Sequence, residues 1–297
     1  MSILAIRNMS ASRWPVVPAP PILPPATNQD VYCSDDGGER WEQRISPAMN
    51  TAVFAFATDP SDSQIMYAGS NANSASYAGA DPSRLYNTVG VVYKSVDGGR
   101  RWTELPTGLV RGTRVTDIRI DPQQPATVYA STSGQLAGGG NVYVDAQFGV
   151  LKSVDGGVTW KPMKIGLGSE PFEQAIRFMD LSPRDPSRLV VEVADTSSFL
   201  FEDGAGHFPR PATTPAGIMR FDPTDSTGTR VVGLSRDGTH VVESRDGGNS
   251  WREIGLLPAE IPNAGDPSKP ASLRPSDIEI SHRDRRILYL SGSGGSV

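Results

Sequence analysis

Short apolar, β-branched runs separated by polar turns fill this chain, and no helical apolar periodicity of useful length appears. Val53-Phe-Ala-Phe-Ala-Thr-Asp-Pro60 leads to Ile65-Met-Tyr-Ala-Gly69, and Val115-Thr-Asp-Ile-Arg-Ile-Asp-Pro122 leads to Val128-Tyr-Ala-Ser131. Ile176-Arg-Phe-Met-Asp-Leu-Ser-Pro183 leads to Leu189-Val-Val-Glu-Val193, and Ile218-Met-Arg-Phe-Asp-Pro223 to Arg230-Val-Val-Gly233. The last of the set joins Ile278-Glu-Ile-Ser-His282 to Ile287-Leu-Tyr-Leu290. Each reads as strand, polar turn, strand. The expected fold is all-β.

A second pattern interleaves with the first. Ser34-Asp-Asp-Gly-Gly-Glu-Arg-Trp41, Ser95-Val-Asp-Gly-Gly-Arg-Arg-Trp102, Ser153-Val-Asp-Gly-Gly-Val-Thr-Trp160 and Ser244-Arg-Asp-Gly-Gly-Asn-Ser-Trp251 share one wording, Ser-x-Asp-Gly-Gly-x-x-Trp. Four of the five tryptophans stand in it. A decayed copy runs from Glu202 to Phe208, with Asp203 and Phe208 at the spacing of Asp36 and Trp41. Asp-Gly-Gly between apolar stretches supplies residues that tolerate positive φ, a strong hairpin signal. Ser and Asp side chains can bond amides inside the turn. Because Asp36, Asp97, Asp155, Asp203 and Asp246 recur in every repeat, whereas a catalytic group occurs once, they are expected to be fold devices. Trp41, Trp102, Trp160 and Trp251 then begin the returning strands. One carboxylate per turn is a poor oxygen cage for calcium, and no metal site is expected.

These residues resemble the Asp-box, or BNR, repeat of sialidases, xyloglucanases, sortilin-type receptors and photosystem assembly factors. The resemblance covers residues 31–291. It implies a β-propeller of four-stranded blades, with each box between the two outer strands of a blade. Five first halves and five second halves imply five blades. The unpartnered box at 34–41 and the unpartnered pair at 276–291 would join to close the ring; the alternative is a truncated propeller of six or more blades. Residues 1–30, with Trp14-Pro-Val-Val-Pro-Ala-Pro-Pro-Ile-Leu-Pro-Pro25, read as a proline-rich extended segment, and 31–297 as one propeller domain.

Bulk properties narrow the function. A net charge of −5 with dispersed Lys and Arg argues against nucleic acid. No apolar run approaches the ~20 residues of a membrane helix. Residues 1–9 lack the core of a secretory signal, while the resemblance implies an extracellular or periplasmic location. The single Cys33 cannot form an internal disulfide. His207, His240 and His282 lie in separate turns without metal-ligand spacing, Gly138-Gly-Gly140 lacks the continuation of a phosphate loop, and no nucleophile elbow occurs. No cofactor is expected, and the chain is expected to be a monomer.

Two connections stand out by length: Ser70–Gly90 and Thr132–Gly149, against short ones around Ala194–Ser198 and Leu234–Thr239. Long loops in a compact repeat are often functional. Tyr77, Arg84, Tyr86, Tyr143 and Asp145 on them, with Arg114 at a strand end, form the expected ligand site for a glycan or an extended peptide. An inner-strand ring of Ala57, Arg119, Asp180, Arg220 and Glu279 reads as ion pairs between repeats. The enzymatic alternative is a glycoside hydrolase using Asp117 with Asp277 or Glu173 as acid and base. The xyloglucanase resemblance points to Asp117 and Asp277, but the glycine-rich approach of that family is absent before Asp117, and the Arg-Ile-Pro tripeptide of sialidases is missing.

Overall fold

A computed structural model describes residues 2–5, 31–34, 39–40, 42–44, 53–70, 90–109, 113–134, 149–163, 175–193, 197–202, 218–235, 237–258, 260–261 and 271–295. Every described element of regular structure is a β-strand, and every pairing is antiparallel. The strands up to Met163 belong to one compact unit and those from Ile176 to a second.

In the first unit, β1 (Ser2–Ala5), β2 (Val31–Ser34) and β3 (Glu42–Arg44) form a three-stranded sheet in that order. Two four-stranded sheets follow. One holds β4 (Val53–Thr58), β5 (Met66–Ser70), β6 (Val92–Ser95) and β7 (Thr103–Glu104). The other holds β8 (Thr113–Ile120), β9 (Val128–Gly134), β10 (Gly149–Ser153) and β11 (Lys161–Met163). Their first strands adjoin, β4 and β5 against β8. Ala55, Tyr67, Val92, Val115, Ile118, Val128, Ala130 and Leu151 fill the core between them, with Trp160 packed at its margin.

In the second unit, β12 (Ile176–Leu181), β13 (Arg188–Val193) and β14 (Ser197–Glu202) make one sheet. Four strands, β15 (Met219–Phe221), β16 (Val231–Leu234), β17 (His240–Ser244) and β18 (Arg252–Leu256), make the next. The last sheet contains β19 (Glu260–Ile261), β20 (Ala271–Ile280) and β21 (Leu288–Gly295). Here too neighbouring sheets meet through inner strands, β12 and β13 against β15, then β15 and β16 against β20.

The strand pairs expected from the apolar runs all form. Each first hairpin is tied by its turn residue: Asp59, Asp121, Ser182, Asp222 and Ser281 donate their backbone N–H across the turn to Ile65, Thr127, Arg188, Arg230 and Ile287. The side chains of Asp59, Asp121 and Asp222 then accept amides two residues on. The N-terminal pairing differs from expectation. Ser34 of β2 pairs with Ser2 and Val31 with Ala5, so the outer hairpin at 31–44 takes β1 as its third strand instead of residues 288–290. Ser2-Ile-Leu-Ala5 is a short apolar run able to occupy the same edge, which the proline-rich reading of 1–30 overlooked. The described strands thus form six sheets.

Candidate functional site

Three box turns are described and they repeat one hydrogen-bond scheme. The Ser hydroxyls of Ser95, Ser153 and Ser244 donate to Asp97, Asp155 and Asp246 at 2.9, 2.8 and 2.8 Å. The same hydroxyls accept the N–H groups of Gly99, Gly157 and Gly248 at 2.9, 2.8 and 2.7 Å. Each Asp Oδ1 accepts the amide four residues later, from Arg101, Thr159 or Ser250. The indole N–H of Trp102, Trp160 and Trp251 closes on the carbonyl of Gly99, Gly157 and Gly248 at 3.1, 2.9 and 3.0 Å. Both glycines of each box have positive φ, from 70° to 95°, where an L side chain is strained.

These bonds hold the carboxylates ionised. The backbone amide of Arg101 leads the lowering at Asp97. The Thr159 hydroxyl leads at Asp155, which falls to about 2, and the Ser250 hydroxyl leads at Asp246. Donors saturating an aspartate make it a poor acid or base at neutral pH. The box at 153–160 also welds neighbouring sheets: Tyr67 Oη and Lys94 Nζ both donate to the carbonyl of Gly156, at 3.1 and 2.9 Å. Asp36, Trp41, Asp203 and Phe208 lie outside the described residues or have no described side chain.

Two of the three proposed catalytic carboxylates can be placed. Asp117 on β8 and Asp277 on β20 occupy equivalent positions, each just after a β-bulge. Asp117 accepts the N–H of Ile118 at 2.9 Å and Asp277 that of Ile278 at 2.8 Å. Each also faces an arginine: Arg119 Nη1 lies 3.1 Å from Asp117, and Arg220 Nη2 lies 2.8 Å from Asp277. Arg220 further reaches Glu279 at 3.3 Å and stacks 3.7 Å over the Phe178 ring. Asp180 accepts the amide of Phe221 at 2.9 Å. The charged inner ring is therefore bound to arginine and backbone wherever it is described. Bulges recur at the same place in four first strands, between Val53 and Ala55, Val115 and Asp117, Ile176 and Phe178, and Pro275 and Asp277.

At the strand end where the long connections leave, the first unit is lined with buried hydroxyls, among them Ser70, Thr113, Ser131, Thr132 and Ser133. Ser70 and Val91 close the stem of one connection with a backbone bond of 2.9 Å, and Thr132 pairs with Gly149 across the stem of the other. The N–H of Gly90 donates to Thr113 O at 2.7 Å, pinning the first stem to β8 beside Arg114. A Cβ at Gly90 would meet Thr113 O at 2.7 Å and Arg114 Cα at 2.8 Å, so this approach requires glycine. Tyr77, Arg84, Tyr86, Tyr143, Asp145 and Glu173 fall outside the described residues.

Two features were missed in the sequence. Glu243, at the position where Lys94 and Lys152 precede their boxes, is 2% exposed and is bound by Arg230, Arg245 and Arg252. That departure from the repeat was the available signal. Glu192 on β13 is pushed above the ordinary carboxylate value by burial, against the opposing charge of Arg177 at 3.8 Å. Its apolar flanks in Val190-Val-Glu-Val193 hide it in the sequence.

Among the described residues no group of three His, Cys, Asp or Glu could hold a metal ion, and no helix is long and apolar enough to cross a membrane. No protein-family model matches the chain, and no curated protein sequence matches it. Solved structures do. The GH74 xyloglucanase of Xanthomonas campestris aligns with a TM-score of 0.56 at 15% identity, over 93% of this chain and 41% of that one. The GH74 enzyme of Niastella koreensis aligns at 0.50 and 20%, over 75% and 34%. A YCF48 protein solved bound to a D1 peptide aligns at 0.54 and 14%, over 89% and 69%. The chain thus spans less than half the length of these two GH74 enzymes, and what the likeness establishes is the fold alone, all-β and propeller-like.

Proposed function

We propose that this chain is a non-catalytic binding propeller of the Asp-box class, recognising a glycan or an extended peptide at the end where its two long connections emerge. In this reading each of the six sheets is a blade, in place of the five expected. Tyr77, Tyr86 and Tyr143 supply flat apolar area, while Arg84, Arg114 and Asp145 supply charged hydrogen bonds. The observation that carries the reading is the equivalence of Asp117 and Asp277. Both cap the following amide and both face an arginine, a task that recurs with the repeat. A glycosidase needs two carboxyls with opposed pKa values facing an open cleft. Arrays of glycans and of peptides test the proposal, followed by replacing residues 72–88 and 136–147 with short glycine-serine turns. The shortened protein should melt with the parent and bind none of the parent's array hits. Retention of those hits would refute the assignment of the site.

A further inference from the structure

In the second unit one strand end carries a surface of a different kind. There the β15–β16 turn, the box turn after β17 and the β20–β21 turn come together. Gly247 N–H donates to Thr229 O at 2.9 Å, and Arg230 Nη1 donates to Arg285 O at 3.3 Å. Six arginines gather there: Arg230, Arg245, Arg283, Arg285 and Arg286 on the turns, and Arg252 at the start of β18. The carboxylates on these turns are buried or already bonded: Asp222, Asp225 and Glu243 are 0, 9 and 2% exposed, Asp284 is held by Arg286 at 2.7 Å, and the exposed Asp246 bonds Ser244 and Ser250 within its own box. The guanidiniums point the other way: the side chains of Arg245, Arg252 and Arg286 are 67, 57 and 86% exposed. A basic face thus stands on a chain of net charge −5.

Two of these arginines are held from beneath. Arg245 Nε and Arg252 Nε donate to the same Oε2 of Glu243, at 2.9 and 2.8 Å. Arg230 bridges the other oxygen to Asp222, with both contacts at 2.6 Å. A buried carboxylate gripping each guanidinium by its inner edge fixes the side chain and leaves the outer donors to solvent. Such preorganisation lowers the ordering cost of binding an oxyanion, and a planar guanidinium matches a carboxylate in two-point contact. Aliphatic side chains interleave with the charge. Ile254 stands two residues after Arg252, 39% exposed, and Ile287 follows Arg286, 45% exposed. A sulfated glycan or a nucleic-acid backbone has no aliphatic group to cover them; an acidic peptide with branched residues does.

We propose that this arginine face is a docking surface for an acidic, aliphatic-containing segment of a partner protein, a proposal that does not rest on the ligand site above. A fluorescent peptide of about ten residues alternating glutamate and leucine is the probe, followed by anisotropy at low and moderate salt. The peptide should bind, weakening with salt as exposed ion pairs do, and its glutamine counterpart should not. Arg245→Gln with Arg252→Gln should weaken binding at least about tenfold. Because that pair touches Glu243, Arg283→Gln with Arg286→Gln serves as a second variant, on residues outside the bonds that hold Glu243, and should also weaken binding several-fold. No binding by the parent, equal binding of the glutamine peptide, or unchanged affinity in both variants would overturn the proposal. So would heparin or duplex DNA displacing the peptide at lower concentration and losing affinity in the same variants.

Discussion

Replacing Glu243 by glutamine removes the charge on which three arginines converge while keeping the shape of the side chain. The carboxylate is 2% exposed. Burial alone would raise its pKa, but hydrogen bonds from Arg230, Arg252 and Arg245 outweigh burial and bring it from 4.5 down to about 2. At ~1.4 kcal/mol per pKa unit, a depression of that size corresponds to about 3 kcal/mol of stability at neutral pH. In the variant Arg230 keeps Asp222 at 2.6 Å, and Arg245 and Arg252 can turn to water. The expected loss is therefore about 2–4 kcal/mol, overlapping the lower part of the ~3–5 kcal/mol range for breaking a buried ion pair. Denaturant titration of parent and variant at pH 7 measures it. The folded pKa lies below the unfolded one, so the contribution is complete above 4.5 and disappears as pH falls towards 2. The gap between the two proteins should narrow over that window, since the other low-pKa carboxylates are common to both. A loss below about 1 kcal/mol, the size of a surface pair, or a gap independent of pH would refute the reasoning.

Gly157→Ala places a methyl at φ +93°, 2.5 Å from Leu105 Cδ1, and should cost about 2–4 kcal/mol by thermal melt. Gly108→Ala, at φ +71° with nothing within 4 Å, should cost only about 1 kcal/mol, and the difference reads the close approach. Tyr67→Phe deletes a hydroxyl bonded to Gly156 O at 3.1 Å in a residue 1% exposed; a loss of about 1 kcal/mol is expected, because Lys94 still serves that carbonyl. Asp155→Asn should lower the melting temperature at pH 7. The deficit should vanish between pH 4 and pH 2, where the parent's own carboxylate, lowered to about 2 from 3.8, is being protonated.

The box turns were legible because each carries its own instructions. Ser, Asp, two glycines and Trp satisfy one another within eight residues, so no distant partner is needed to read Ser95 to Trp102. The paired apolar runs were legible for the same local reason. What escaped depends on partners far along the chain. The pairing of β1 with β2 joins Ser2 to Ser34 across a proline-rich stretch whose composition hides a strand. Glu243 looks like an ordinary exposed charge until Arg230, just before β16, and Arg252, on β18, close over it. Asp117 and Asp277 carried a catalytic reading because two carboxylates near inner-strand ends resemble an acid and a base. Only the shared bulge and the shared amide bond mark them as repeat equivalents. The tyrosines of the expected ligand site sit on long connections, whose course local pattern does not determine.

The claim that Asp117 and Asp277 support the fold and perform no chemistry is tested most directly by a reducing-end assay over a panel of polysaccharides, xyloglucan included. Parent, Asp117→Asn and Asp277→Asn would be run alongside one another. The account predicts no release of reducing ends by any of the three, with both variants folded and less stable than the parent. Hydrolysis by the parent that disappears in either variant while its fold is intact would contradict it.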